Sequence, residues 1–380
     1  MIPNPLLGIP LHWLGGLASG SFYVPYRAVK RWSWETYWLV GGIVSWILCP
    51  LIFGLLLTRN LFGVIAAQSS STLLWTYFFG LLWGFGGLTY GLTMRYLGLS
   101  LGTGVALGFC AFCGILMPPI FKLAVPSVPM VESIIDIAAS GPGRVTLTGV
   151  AICFLGIAVA AIAGFKKERE LSAADKRRAI AEFSFLKGFL VALFCGVMSA
   201  CFAFALTAGN PMGTATVDAG TAQLWSGLPK LVVLLWGGFT TNFSWCVILN
   251  YRNRSGHQYT ASQPRDVSVS MDASHATESM QAPAPLLENY LLCIAAGTTW
   301  YLQFFFYTMG ESQMGRYGFA SWTVHMASII IFASIWGWIL HEWQGSSAKV
   351  HALIGASIGL LIFSTVVIGW GAYLKAQETL

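Results

Sequence analysis

The chain has 380 residues, 56% of them apolar and only 9% charged, with a formal net charge of +6 and a mean hydropathy of +0.67. Soluble domains carry roughly 25% charged residues, so this composition argues against a soluble enzyme and for a polytopic membrane protein. The positive charge calls for no nucleic-acid partner, because basic cytoplasmic loops account for it. The eight cysteines all lie in apolar runs and read as small buried residues, not as a disulfide framework. Cys110 and Cys113 make a lone CxxC inside such a run, a weak signal for metal or redox chemistry.

A membrane span takes about 20 apolar residues. In chain order the candidates are 6–26, 36–57, 74–94, 98–123, 145–164, 186–208, 225–250, 289–309, 316–340 and 350–374. The first has neither a basic lead nor a small-residue cleavage site, so it is expected to remain as a helix. Residues 124–144 read as a loop punctuated by Pro, Ser and Gly. Residues 165–185 read as a charged cytoplasmic connector, and 251–288 as a polar loop too poor in apolar residues to offset its ordering entropy. Fifteen of the 21 Lys and Arg fall on one side of this layout. That side is expected to be cytoplasmic, with both termini outside.

Two stretches spell alike. Gly80, Trp83, Tyr90 and Gly98 match Gly297, Trp300, Tyr307 and Gly315 at one offset of 217. Gly16, Ser19 and Phe22 match Gly196, Ser199 and Phe202 at an offset of 180, and Leu147, Gly149 and Ile152 match Leu353, Gly355 and Ile358 at 206. The expected fold is therefore all-α and integral to the membrane, with about ten helices in an inverted five-plus-five repeat, 1–164 and 186–380. Transporters of that architecture place substrate near mid-membrane between the halves. Gly84, Gly86, Gly87 and Gly91 fit this picture, because small residues let helices approach closely in lipid.

Ionisable groups inside a membrane are expensive and mark function. Of the six histidines, His12 and His325 lie well within spans. His12 is either a proton relay or an interfacial anchor beside Trp13. His325 is either a site residue or a histidine satisfied by a neighbouring helix. Glu35 opens the second span, and Arg95 either pairs with it as a cytoplasmic gate or reaches out to lipid phosphate. Ser19, Tyr23, Trp83, Tyr90, Trp300, Tyr301, Gln303 and Tyr307 offer ring faces and hydrogen-bonding groups, the combination that holds a neutral polyol. The bland alternative is an aromatic belt at the interface. HExxH and P-loop motifs are absent from the sequence; no catalytic residue, metal or cofactor is expected, and no ATP-driven step is written in it.

The stretches 12–47, YGLTMRYLGLSLG (90–102), CGVMSACFAFALTAGNPM (195–212), WYLQFFFYTMG (300–310) and SWTVHM (321–326) resemble the bacterial L-rhamnose–proton symporters of the drug/metabolite transporter superfamily. The resemblance implies ten helices in an inverted repeat and import of L-rhamnose with a proton across the inner membrane. It assigns the family's two histidines to His12 and His325, its Glu to Glu35 and its Arg to Arg95. Thr89 stands where the family usually has Asn. The expected partners are a small sugar, a proton and the bilayer. An exporter of amino acids, nucleotide sugars or drugs is the alternative within the same fold, and a membrane sensor the alternative outside it.

Overall fold

A computed structural model describes residues 4–97, 99–124, 132–170, 185–260, 284–315, 320–341 and 343–378. Among them the long helices are α1 (Pro5–Ser21), α2 (Trp34–Leu57), α3 (Ser70–Leu97), α4 (Leu99–Ala124), α5 (Gly141–Glu170), α6 (Phe185–Ala208), α7 (Leu228–Asn253), α8 (Leu286–Gln313), α9 (Ser321–Ile339) and α10 (Ala348–Gln377). Each falls on an expected apolar stretch. Six of them, α2, α5, α6, α7, α9 and α10, are long and apolar enough to cross a membrane. In α3 and α8 the Gly, Thr, Tyr and Gln content that makes them candidate site helices also dilutes their apolar character.

Local chemistry sets the ends and the kinks. The Asn4 side chain accepts from the Leu6 N–H and Pro5 opens α1, satisfying one donor and omitting another that would be orphaned. In α2 the turn Val44–Leu48 is a π-helix just ahead of Pro50. Proline supplies no N–H and its ring clashes with the carbonyl four residues back, which is that of Trp46. The ladder widens there, and Trp46 is delivered to the centre of the bundle, 1% exposed.

Packing joins helices far apart in the sequence. Helix α1 lies against α8 and α9, and α6 against α3 and α4; α2 packs on α7 and α8, α7 on α3, and α5 on α10. The contacts rest on glycine. A Cβ at Gly80 would collide with the Leu234 carbonyl of α7, and one at Gly297 with the Gly41 carbonyl of α2. Gly16 is pressed on Ser328 of α9, and Gly196 on Phe109 of α4. Gly84 and Gly86 are equally tight, but Gly87 and Gly91 face open space, so only part of the glycine-rich stretch is there for close approach.

Three connecting segments differ from expectation. Residues 124–144 contain a short helix, Ile134–Ala139, started by a reciprocal Ser133–Asp136 capping box; 125–131 lie outside the described residues. Of the 165–185 connector, α5 takes the part up to Glu170, and 171–184 lie outside the described residues. The Glu170 carboxylate accepts from the Ser347 hydroxyl and N–H at 2.5 and 2.7 Å, and these bonds hold it below the usual carboxylate range. Most of the expected polar loop 251–288 is undescribed, but its first ten residues are ordered. They finish α7 and form a 3₁₀ turn, Ser255–Tyr259, whose Gln258 Oε1 accepts from the Ser33 N–H and Oγ and from Thr36 Oγ1 at 2.8–2.9 Å. Composition hid this because the segment is ordered by docking on α2, not by an apolar face of its own.

Candidate functional site

Helix α8 organises the site. Trp300, Phe304, Tyr307 and Glu311 follow one another at spacings of four, three and four and so share one face. Tyr301, one residue round, points elsewhere: it is fully buried against Phe53 and Phe305, ring centroids 5.3 and 6.1 Å away.

The shared face leads into a cleft of about 390 Å³. Its walls are Gly114 and Pro118 of α4, Ala203 and Thr207 of α6, the short helix Asn210–Asp218, the start of α7 at Lys230, and the last turns of α8. Tyr307 and Trp322 form its floor, with ring centroids 5.7 Å apart and nearly perpendicular. Asp218 and Gln223 mark the mouth, at the end of the bundle where the Asn4 N–H meets Gln313 Oε1. The volume sits at the small end of the ligand-pocket range of roughly 300–1,000 Å³.

Behind the floor sit two histidines. The Tyr307 ring lies 5.2 Å from His12 and 5.1 Å from His325, and the two imidazoles are 6.4 Å apart. Both are buried. Among the described residues neither nitrogen of His12, nor Nδ1 of His325, has a hydrogen-bond partner. Glycine makes the room: a Cβ at Gly310 would stand 2.8 Å from the His12 ring, and one at Gly15 3.2 Å from that of His325. The Ser328 hydroxyl lies 2.7 Å from the His325 carbonyl and 3.1 Å from that of His12, tying α1 to α9 at this level. Buried polar atoms normally find partners; the two imidazoles share this lack with other buried groups, among them Tyr26, Trp46 and Tyr301, but of these they alone titrate near neutral pH.

The other expected site residues are dispersed. Trp300 stacks on Phe22 at 4.6 Å and meets Trp38 and Trp46 at 4.7 and 4.9 Å. Trp83 meets Phe202 and Phe304, both at 5.4 Å. These two tryptophans form a central aromatic cluster beneath the floor and do not line the cleft. Gln303 is buried on α8, and Ser19 is half-buried on α1. Tyr90 packs with Leu97, Ala106, Ala192 and Cys195. Tyr23 is exposed, its hydroxyl 3.4 Å from that of Tyr37. Glu35 lies away from the histidines, where it accepts from Ser255 Oγ at 2.7 Å and Asn253 Nδ2 at 3.1 Å. The Arg95 side chain lies outside the described residues. Conversely, Lys230, with its Nζ 2.8 Å from Asn210 Oδ1 and 3.9 Å from Glu311 Oε2, is not singled out by sequence. Its one signal is a lysine opening the apolar run LPKLVVLL.

A family model described as L-rhamnose-proton symport protein matches residues 1–373. The protein named L-rhamnose-proton symporter from Escherichia coli O1:K1 / APEC is 34% identical over 366 residues, covering 96% of this chain and 97% of the relative. The one of that name from Yersinia pestis (strain Pestoides F) is 35% identical over 368 residues, covering 96% and 98%. These relatives are named as transporters and not as enzymes. On this agreement over nearly the whole length, the chain, a multi-pass protein of the bacterial inner membrane, belongs to the L-rhamnose-proton symporter family.

Proposed function

We propose that this chain imports L-rhamnose together with a proton, by alternating access. The observation that carries the reading is the pair of buried imidazoles, His12 and His325, set behind the aromatic floor of a small polar cleft. Imidazole is the side chain whose ordinary pKa lies nearest neutrality. Two imidazolium charges 6.4 Å apart would repel by roughly 2–3 kcal/mol at an effective dielectric of about 20, so in this reading the pair takes up at most one added proton at a time. Tyr307 stands between that proton and the sugar, and the rings of Tyr307 and Trp322 offer the apolar faces on which a deoxy sugar packs.

The cleft opens at one end of the bundle while the other end is bolted: Gln258 and Glu35 join α7 to α2, and Asn289 Nδ2 donates to the Lys30 carbonyl at 2.9 Å. The cation-rich side is the bolted one, which makes it cytoplasmic by the positive-inside rule and the cleft outward-facing. An inverted repeat supports the exchange between faces. Swapping the first five helices for the last five turns α1–α8 contact into α6–α3 and α1–α9 into α6–α4, pairs that are both present. The contact of Trp300 with Phe22 then corresponds to that of Trp83 with Phe202, though the first pair is stacked and the second meets edge to face. In this reading Trp83, Tyr90, Trp300, Gln303 and Ser19 meet the sugar as the cleft closes outside and opens inside. Uptake of labelled L-rhamnose by cells expressing the chain, abolished by a protonophore, is the expected result; no uptake above the empty-vector control would reject the proposal.

A further inference from the structure

We infer that Lys230 and Glu311 are specificity-determining residues of the cleft, which grip adjacent hydroxyls of a neutral pyranose; the inference rests on the cleft being the sugar site. A lysine near the end of a span ordinarily extends to lipid phosphate. Lys230 is instead 7% exposed and lies across the start of the helix Asn210–Asp218. Two glycines shape its bed: a Cβ at Gly209 would lie 3.2 Å from Lys230 Cγ, and one at Gly213 3.0 Å from Cε. The ammonium is thereby held in place before any ligand arrives.

Its hydrogen bonds are not used up. An ammonium has three donors, and among the described residues one goes to Asn210 Oδ1 at 2.8 Å. The Glu311 carboxylate, at 3.9 Å, is beyond hydrogen-bond range. Both groups line the cleft with Tyr307 and Trp322, and Glu311 stands one turn from Tyr307 on the same face of α8. A donor with protons to spare therefore stands beside an acceptor with lone pairs to spare, as an ion pair 3.9 Å apart that two neighbouring hydroxyls can span from the cleft side. Neighbouring hydroxyls on a sugar ring accept from one group and donate to the other, and such charge-assisted bonds are the strong ones. A sugar acid would bring a fourth carboxylate beside Glu311, Asp218 and Glu132, all of them lining the cleft, so the arrangement favours the neutral sugar.

The test is calorimetry of L-rhamnose binding to the purified full-length protein, comparing wild type with Lys230→Met and Glu311→Gln, both close in shape to the original. Each variant should bind about tenfold more weakly or worse. Analogues of L-rhamnose lacking one ring hydroxyl in turn give the readout that a merely structural role would not move. The analogue missing the gripped hydroxyl should lose affinity for wild type and lose no more on passing to Lys230→Met. Wild-type affinity in both folded variants would overturn the inference while leaving the cleft as the sugar site. The same would follow if every analogue lost equally in variant and wild type. Absence of binding to wild type would remove the cleft reading itself, and the inference with it. Should Lys230→Met not fold, Glu311→Gln, which leaves the bond from Lys230 to Asn210 in place, decides alone.

Discussion

At the scale of single residues, in the proposed reading, the roles divide between groups that hold the proton and groups that hold the sugar. Replacing His12 or His325 by Gln keeps volume and hydrogen bonding but removes titration near neutral pH. Loss of uphill accumulation with retained downhill exchange is expected in at least one of the two variants; full accumulation in both, and in the double variant, would leave Glu35 as the carrier to test. Tyr307→Phe removes the hydroxyl at the cleft floor and should weaken sugar binding by roughly 1–3 kcal/mol. Tyr301→Phe, next door but packed on Phe53, should leave binding unchanged, and equal affinities for the two variants in calorimetry would remove Tyr307 from the site. The histidines were legible because an imidazole in an apolar run is rare. Lys230 was not, because in sequence a lysine one turn into a helix looks the same whether it reaches for lipid or lies over a glycine bed.

At the scale of the helices, hydrophobic runs located the long segments well, since the bilayer demands length and apolarity alike. They said nothing of which glycine touches what. Gly80 and Gly297 sit where a neighbouring backbone leaves no space, while Gly87, in the same apolar run as Gly80, meets nothing within 4 Å. Gly80→Val and Gly297→Val should therefore each lower stability by about 1–3 kcal/mol through overpacking. Gly87→Ala should raise it by about 0.5–1 kcal/mol by limiting backbone freedom. Thermal unfolding of the detergent-purified variants checks this; a Gly87→Ala protein as destabilised as Gly80→Val would show that the helix contacts are wrongly placed. The matched pair Gly149 and Gly355 shows where sequence likeness stops implying like contacts: Gly149 presses on Ile368, whereas Gly355 meets nothing within 4 Å. The 3₁₀ turn at Ser255–Tyr259 was illegible for a different reason, since its order comes from Gln258 bonding to a helix more than two hundred residues earlier.

At the scale of the whole molecule, orientation and coupling remain to be joined. Both described chain ends, Asn4 and the end of α10, lie on the outer side of the membrane in this reading, and Lys349 lies on the cytoplasmic side. Cysteines introduced at Asn4 and Lys349 should be labelled from opposite sides by an impermeant maleimide, and labelling of both from the same side would overturn the topology. The coupling itself is most directly measured with a pH electrode. When L-rhamnose is added to a lightly buffered, de-energised suspension of cells expressing the chain, the medium should turn alkaline as protons enter with the sugar. The signal should vanish with a protonophore and in the His12→Gln/His325→Gln double variant. Rapid L-rhamnose entry with no alkalinisation would contradict proton symport through this chain.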